Sequence, residues 1–188
     1  MKLPELDNAT LALAQVGDHA AFRSLYERYA DVVYAFVRRM LGDDAAAEDA
    51  LQDTFVRVAR SLRSFDPRGP AALSTWILTL ARRAALTPRR PATLAFADEP
   101  SIAPGAVELR GPRRRLEDAI GALSPDQRAV FVLRECNQLS YEDIAVAVDA
   151  DVGTVRSRLH RARASLQMTL KDLLEHEHED ERGRKAGR

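Results

Sequence analysis

Cysteine, aromatic residues and long apolar runs are scarce in this 188-residue chain, and each scarcity excludes a class of protein. The single cysteine, Cys136, can form neither an internal disulfide framework nor a cysteine-based zinc site. Its place beside the apolar run 130–133 predicts a buried, unreactive thiol. No apolar stretch approaches the length of a membrane span, and the N-terminus lacks a signal-peptide pattern. We therefore expect a cytoplasmic protein without membrane insertion.

The composition predicts a mostly aliphatic interior, because 46% of the residues are hydrophobic but only 6% are aromatic. This is enough apolar material for one ordinary domain or two small ones. No Ser/His/Asp grouping, phosphate-cradling glycine loop or metal-ligand cluster can be recognised in the sequence. The sequence therefore predicts no catalytic residues, no metal site and no cofactor.

The chain has no net charge, with 28 basic and 28 acidic residues, but the charges are segregated along it. Residues 42–56 contain five acids and no Lys or Arg. Residues 67–97 and 152–171 each contain five basic residues and no acid. Segregation of this kind indicates separate acidic and basic contact surfaces.

Apolar residues recur at helical spacing through the first half of the chain. They predict one buried face on a helix at 20–41, on a second at 44–62 and on a third around residues 76–84. Gly42 ends the first helix, and Pro88 limits the third. The pattern therefore predicts a compact helical domain at the start of the chain.

A linker and a second helical domain are predicted to follow. Residues 88–112 are rich in proline and glycine and have no helical period, which predicts a linker long enough to let two domains move apart. A short helix near 113–120 comes next, and a capping box at Ser124 begins a helix that runs to about Cys136. The polar segment after Glu175 is expected to be disordered.

The last two predicted helices form a helix-turn-helix. Ser140 begins the first of them, and Asp151 caps the second and longer one after a turn at Asp149 and Ala150. An apolar stripe defines the buried side of the longer helix, at Val155, Leu159, Ala162 and Leu166.

The opposite side of this helix is rich in groups that bind DNA. It presents Arg156, Ser157, His160 and Arg161, while Arg158 lies between the two faces and could reach a phosphate. A recognition helix reads base edges from its N-terminal turns, and arginine is suited to guanine. The absence of acids over this stretch favours DNA binding over a merely solvated helix, because a soluble helix would normally interleave glutamates.

Four segments together resemble the extracytoplasmic-function sigma factors of the sigma-70 family. Residues 139–145 (LSYEDIA) and 152–163 (VGTVRSRLHRAR) are similar to the fourth conserved region of these factors. Residues 47–55 (AEDALQDTF) and 75–82 (TWILTLAR) are similar to the second region. Both regions occur in the expected order with a Pro/Gly-rich linker between them. The resemblance implies an all-α protein of two small domains that directs RNA polymerase to promoters and helps to melt the DNA.

The resemblance also implies domain boundaries and partners. It predicts a region 2 domain at 1–90, a linker at 91–112, a region 4 helix-turn-helix domain at 113–175 and a disordered tail at 176–188. The implied partners are core RNA polymerase, through the clamp helices of its largest subunit, promoter DNA and an anti-sigma protein.

Site residues follow from the same resemblance. The implied contacts with core polymerase are Glu48, Asp49, Gln52 and Asp53. The implied contacts with the −10 element are Trp76, Arg82, Arg83, Arg89 and Arg90. The implied contacts with the −35 element are Arg134, Thr154, Arg156, Ser157, Arg158, His160 and Arg161.

Some positions depart from the family pattern. Arg83 stands where Asn is frequent and Thr87 where Asp is frequent, and Pro88 shortens the third helix. These changes affect the expected −10 sequence preference but not polymerase docking. Gln138 and Asp149 replace turn glycines, and Asp tolerates the left-handed backbone that such a turn requires.

Two other functions are compatible with parts of the sequence. A free-standing helix-turn-helix regulator would bind duplex DNA as a dimer, but it would have no use for the acidic helix at 43–53. A DNA-processing enzyme with a helix-turn-helix appendage would need a nucleophile in the first domain, and the serines there belong to no recognisable constellation.

Overall fold

The computed structural model describes residues 5–87 and 112–186, with side chains described for 5–87 and 114–171. Every regular element in these ranges is helical, which confirms the predicted all-α fold with two helical domains. The linker predicted between the domains lies outside the described residues, apart from Pro112. No helix in the described ranges has the length and apolar character that crossing a bilayer demands.

Four helices and a short 3-10 turn at Leu62–Ser64 form the N-terminal domain. The helices are α1 Asn8–Gln15, α2 His19–Leu41, α3 Asp44–Ser61 and α4 Leu73–Leu86. An aspartate caps each of the first three, because its carboxylate accepts a backbone N–H of the first turn; the caps are Asp7, Asp18 and Asp43. Gly42 ends α2 with a left-handed φ of 75°, as the sequence predicts.

Helix α1 was not predicted from the sequence. It is tied to the domain by Gln15, whose side-chain amide donates to the carbonyl oxygens of Leu62 and Phe65 at 3.0 and 2.7 Å. The buried hydroxyl of Tyr29 accepts the backbone N–H of Leu6 just before the helix. Tertiary hydrogen bonds therefore stabilise a helix of eight residues, which is too short to be stable on its own.

The C-terminal domain contains α5 Pro112–Ala122, α6 Pro125–Phe131, α7 Tyr141–Val148 and α8 Val152–Ala186. Helix α6 starts with the predicted capping box and continues as a π-helix over Val132–Cys136. Asp149 adopts a left-handed φ of 54° at the turn before α8, and Gln138 has a φ of 58° before α7. Both positions that replace turn glycines thus keep the glycine-like backbone.

The prediction that Cys136 is buried is wrong, because its side chain is exposed. The amide of Asn137 donates to the carbonyl of Val132, five residues back, in the π-helical pattern. A wider turn moves Cys136 off the apolar face that an α-helical period would assign to it. Partial desolvation still raises the pKa of the thiol, so the unreactive protonated form is favoured.

The sequence predicts a disordered tail after Glu175, whereas α8 continues through residues 176–186 in the structure. This segment is made largely of Glu, Lys, Arg, His and Ala, and most of these propagate a helix that is already nucleated. Residues 187 and 188 lie outside the described part of the chain.

The two domains pack against each other. Helix α4 of the N-terminal domain lies against α7 of the C-terminal domain, and α2 lies against α5 and α6. The guanidinium of Arg128 donates to the carbonyl of Met40 at the end of α2 and to those of Gly121 and Leu123 at the end of α5. A cation at these carbonyl ends complements both helix dipoles, so Arg128 joins the two domains.

Candidate nucleic-acid interface

Asp151 organises the start of α8, as the sequence predicts. Its carboxylate accepts the backbone N–H of Thr154 at 2.7 Å and the hydroxyl of Thr154 at 2.6 Å. These hydrogen bonds lower the pKa of Asp151. A Cβ at Gly153 would lie 2.9 Å from the Asp151 carboxylate, so glycine leaves room for the cap. Thr154 is therefore committed to the cap, with its hydroxyl already donating to a carboxylate.

The apolar stripe fixes the rotation of α8 about its axis. Val155, Leu159, Ala162 and Leu166 are all buried, as predicted. The opposite face therefore exposes Arg156, His160 and Arg161, while Ser157 is half-buried. Arg161 folds back along the helix and donates to the carbonyl and the hydroxyl of Ser157 at 3.3 and 3.2 Å.

Tyr141 holds two of the predicted DNA-binding arginines in place. The guanidinium carbons of Arg134 and Arg156 lie 5.0 and 5.7 Å from the centre of its ring, within the range of cation–π attraction. Arg134 also donates to the carbonyl of Leu139 at 2.7 Å. The ring thus connects the π-helical turn, α7 and α8 on the side of the domain that carries the basic residues.

Two other arginines of α8 are paired with acids on neighbouring elements. Arg163 contacts Glu135 at 2.5 Å, and Arg158 contacts Asp126 at 2.8 Å. The sequence contains no acid between residues 152 and 171, but the fold brings acids from another helix to these two positions. Only part of the basic block is therefore left facing outward, and Arg158 is not free to reach a phosphate in this arrangement.

Helix α4 presents a second basic surface. Arg83 is exposed, whereas Arg82 is mostly covered and contacts Asp126 of the C-terminal domain at 2.9 Å. Trp76 is half-buried and its ring packs 5.0 Å from that of Phe65, which matches its predicted place on the apolar stripe. Arg89 and Arg90 lie outside the described residues.

The predicted polymerase-binding residues share one face of α3. Gln52 is exposed, and Glu48, Asp49 and Asp53 are half-buried. Asp49 and Asp53 border a shallow cleft whose other wall includes Ala84 and Thr87 at the end of α4. An acidic face next to a cleft suits a basic protein partner and would repel DNA.

Two family models match the chain, one in each domain. The model of Sigma-70 region 2 matches residues 25–93, and the model of Sigma-70, region 4 matches residues 113–166. The RNA polymerase sigma-H factor of Pseudomonas aeruginosa is 32% identical to this chain, over 93% of the chain and 98% of the relative. The ECF RNA polymerase sigma-E factor of Haemophilus influenzae is 33% identical, over 89% of the chain and 97% of the relative. The chain belongs to the sigma-70 family.

Within this family it is an extracytoplasmic-function sigma factor, a transcription initiation factor that works with RNA polymerase at promoter DNA. Two solved structures have a similar fold. CnrH, in complex with the cytosolic domain of CnrY, aligns with a TM-score of 0.65 and 26% identity over 88% of this chain and 97% of that chain. The sigma factor RpoE from Bartonella quintana, in complex with the anti-sigma factor NepR, aligns with a TM-score of 0.62 and 25% identity over 80% of this chain and 96% of that chain.

Sequence reasoning missed two residues that organise the sigma factor's basic surfaces. By sequence, Tyr141 only follows Ser140 at the start of a predicted helix, and Asp126 only lies in the capping box that begins at Ser124. Their contacts join positions 15 and 32 residues apart, Tyr141 with Arg156 and Asp126 with Arg158, so no local pattern reveals them. The signal that the sequence does contain is the absence of acids from residues 152–171, because any acid that pairs with these arginines must then come from another part of the chain.

Replacing Tyr141 by leucine should release the Arg156 side chain, whereas Tyr141→Phe should retain it, because the attraction comes from the ring. The expected loss is about 0.5–1 kcal/mol of interaction between the two positions. It can be measured as the coupling energy in a thermal-unfolding double-mutant cycle with Arg156→Ala, and as faster motion of the Arg156 Nε–H in NMR relaxation. Equal Arg156 mobility in the leucine and phenylalanine variants would show that the ring does not hold it.

Proposed function

We propose that three charged helix faces of this sigma factor bind three different partners. Helix α3 docks on core polymerase, α4 contacts the −10 element and the start of α8 reads the −35 element. The observation that carries the proposal is the outward face of α8, where Arg156, His160 and Arg161 are all exposed because the apolar stripe buries the other side. Such a surface of arginine and histidine at the start of a recognition helix suits the major groove.

Docking is assigned to Glu48, Asp49, Gln52 and Asp53. Their shared face supports this assignment, since four neighbouring polar side chains on one side of α3 present acids to a basic partner. The partner surface is the clamp-helix region of the largest polymerase subunit. Electrostatic attraction of this kind speeds the encounter and sets the orientation of the bound factor.

Contact with the opened −10 element is assigned to the α4 region, with Arg82, Arg83, Arg89 and Arg90 as cations and Trp76 as an aromatic surface. Exposed Arg83 is available in the packed arrangement, whereas Trp76 is half-buried and packs against Phe65. Unstacked bases bind to aromatic and guanidinium groups in this way. Arg83 and Thr87 depart from the family pattern, so the preferred −10 sequence of this factor is expected to differ.

Contact with the −35 element is assigned to Arg134, Thr154, Arg156, Ser157, Arg158, His160 and Arg161. In this set the ring of Tyr141 orients two arginines, and the Asp151 cap fixes Thr154. Arg158 would join only after its contact with Asp126 is broken. The resulting surface would combine contacts to phosphates, which position the protein, with contacts to base edges, which read the sequence.

The remaining assignments complete the proposal. The functional domains are 1–90 and 113–175, joined by 91–112, and the factor works in the cytoplasm with an anti-sigma protein as its inhibitory partner. Support for this partner comes from the similar sigma factor RpoE, which was solved in complex with the anti-sigma factor NepR, and from CnrH, which was solved in complex with the cytosolic domain of CnrY. Nucleotide transfer belongs to the polymerase, so the factor carries no reaction of its own.

Replacing Asp53 by arginine should weaken binding to core polymerase about tenfold or more, because a like charge would face the basic partner. Competition with a labelled reference sigma factor for core enzyme measures this change. The matched control is Asp31→Arg, which makes the same charge change at an exposed position of α2. If both variants compete equally well, α3 is not the docking surface.

Arg156 and Arg161 should have different roles, because five residues place them about 140° apart around a helix. A lost base contact should cost about 1–3 kcal/mol and relax the preference at one −35 position. A lost phosphate contact should weaken all promoters alike and lower the salt slope by about one unit. Holoenzymes with Arg156→Ala or Arg161→Ala can be compared on a panel of −35 variants at several salt concentrations. If affinity, sequence preference and salt slope are unchanged in both variants, this face of α8 does not contact the DNA.

A further inference from the structure

One carboxylate at the domain interface holds two arginines that come from different domains. The Oδ1 atom of Asp126 lies 2.9 Å from a guanidinium nitrogen of Arg82 on α4. Its Oδ2 atom lies 2.8 Å from a guanidinium nitrogen of Arg158 on α8. The proposed function assigns Arg82 to the −10 element and Arg158 to the −35 element. A single carboxylate therefore binds one arginine from each of the two DNA-binding surfaces.

The position of Asp126 favours a charged carboxylate that can bind both arginines. It lies in the first turn of α6, where the helix dipole favours a negative charge. Ser124 and Gln127 fix that turn through reciprocal hydrogen bonds of the capping box. The side chains of Arg82 and Arg158 are only 15% and 25% exposed, whereas Asp126 is 44% exposed. The arginines are therefore covered while their partner remains accessible to solvent and salt.

The charges at this point do not balance. Two guanidinium groups share one carboxylate, which leaves an excess of one positive charge. The buried Nε of Arg82 has no hydrogen-bond partner among the described residues. A DNA phosphodiester carries the same single negative charge as a carboxylate, on two non-bridging oxygens that accept guanidinium hydrogen bonds, so it can replace Asp126 at either arginine.

Other contacts also hold the two domains together, in what we call the closed arrangement. The hydroxyl of Thr75 on α4 donates to the carboxylate of Asp143 on α7 at 3.3 Å, and Arg128 bridges to the end of α2. The packing of α7 on α4 covers the side of α4 that carries Thr75 and Arg82, which lie seven residues apart and so on one face. The outward face of α8 is not covered, since Arg156 and Arg161 remain exposed. Closure thus masks part of the −10 surface and leaves the centre of the −35 surface open.

Simple dimensions show that the closed arrangement cannot act at a promoter. The −10 and −35 elements lie about 25 base pairs apart, or about 85 Å along B-form DNA at 3.4 Å per base pair. A compact chain of this length has a radius of gyration of only about 16 Å. The domains must therefore separate before each can reach its own element.

We propose that Asp126 is an intramolecular latch that holds the free sigma factor closed by binding Arg82 and Arg158 together. Both arginines are released when the domains separate on polymerase, and the promoter then takes the place of Asp126. This inference rests on the proposed function for the role of the arginines, but the latch itself can be tested without DNA.

The distance between the domains tests the latch directly. Spin labels are placed on cysteines at exposed positions Ser64 and Gln167, in a Cys136→Ser background because the native thiol is exposed. Pulsed electron–electron double resonance of the parent should show one narrow distance distribution at low salt, from the packed domains. A longer population should grow as salt rises towards about 0.5 M, where a partly exposed ion pair is strongly screened. An unchanged distribution across this range would overturn the latch without any variant.

Asp126→Asn should raise the open-to-closed ratio at low salt by about five- to thirtyfold, as two partly exposed ion pairs would together. The matched control is Glu142→Gln, which removes one exposed acid from the first turn of α7 and should leave the ratio unchanged. Equal ratios in parent and Asp126→Asn, with helix content unchanged by circular dichroism, would contradict the proposal. A 1:1 mixture of singly labelled chains should show no defined distance between labels, and a defined distance there would assign the contact to a second copy and overturn the latch.

These results separate the latch from the proposed function. If the distances respond but Arg156 and Arg161 variants leave promoter binding unchanged, the latch stands and the DNA assignment fails. If the Arg156 and Arg161 variants change promoter binding but the distances respond to neither salt nor Asp126→Asn, the DNA assignment stands and the latch fails.

Discussion

The rotation of each helix about its own axis is the constraint on which this structure depends. Buried stripes on α3, α4 and α8 fix which side of each helix turns inward, so they also fix which charged residues are left for partners. On α8 the burial of Val155, Leu159 and Ala162 leaves Arg156 and His160 outside. A chain with no net charge can thus present acidic and basic surfaces on different helices, and a sigma factor needs both, one for the polymerase and one for the promoter.

Helical period accounts for how much the sequence could predict. The limits of α2, the end of α4 before Pro88, the capping box at Ser124, the Asp151 cap and the inward face of α8 follow from local rules, and the structure contains all of them. Helix α1 was not predicted because its eight residues are too few to show a clear helical periodicity. Tertiary hydrogen bonds of Gln15 and Tyr29 hold it in place instead. Cys136 was misplaced because a π-helical turn breaks the α-helical register that the prediction assumed.

The pairing of charges could not be read from the sequence at all. An arginine-rich stretch without acids predicts an unpaired basic face, yet the fold supplies Glu135 to Arg163 and Asp126 to Arg158 from another helix. Arg82 is paired across the domain interface in the same way. Arginines that bind DNA in one arrangement can therefore bind the protein's own acids in another. The family match identifies what the chain does, whereas these tertiary contacts indicate how its surfaces are made available.

The central claim is that α4 and α8 contact different promoter elements at the same time, on domains that have moved apart. Site-specific photo-crosslinking in reconstituted holoenzyme tests it most directly, with a photoreactive amino acid at Arg83 on α4 or at His160 on α8. The account predicts crosslinks near −10 from the first position and near −35 from the second, on one promoter. Crosslinks from both positions to a single element, or from neither to DNA, would contradict it.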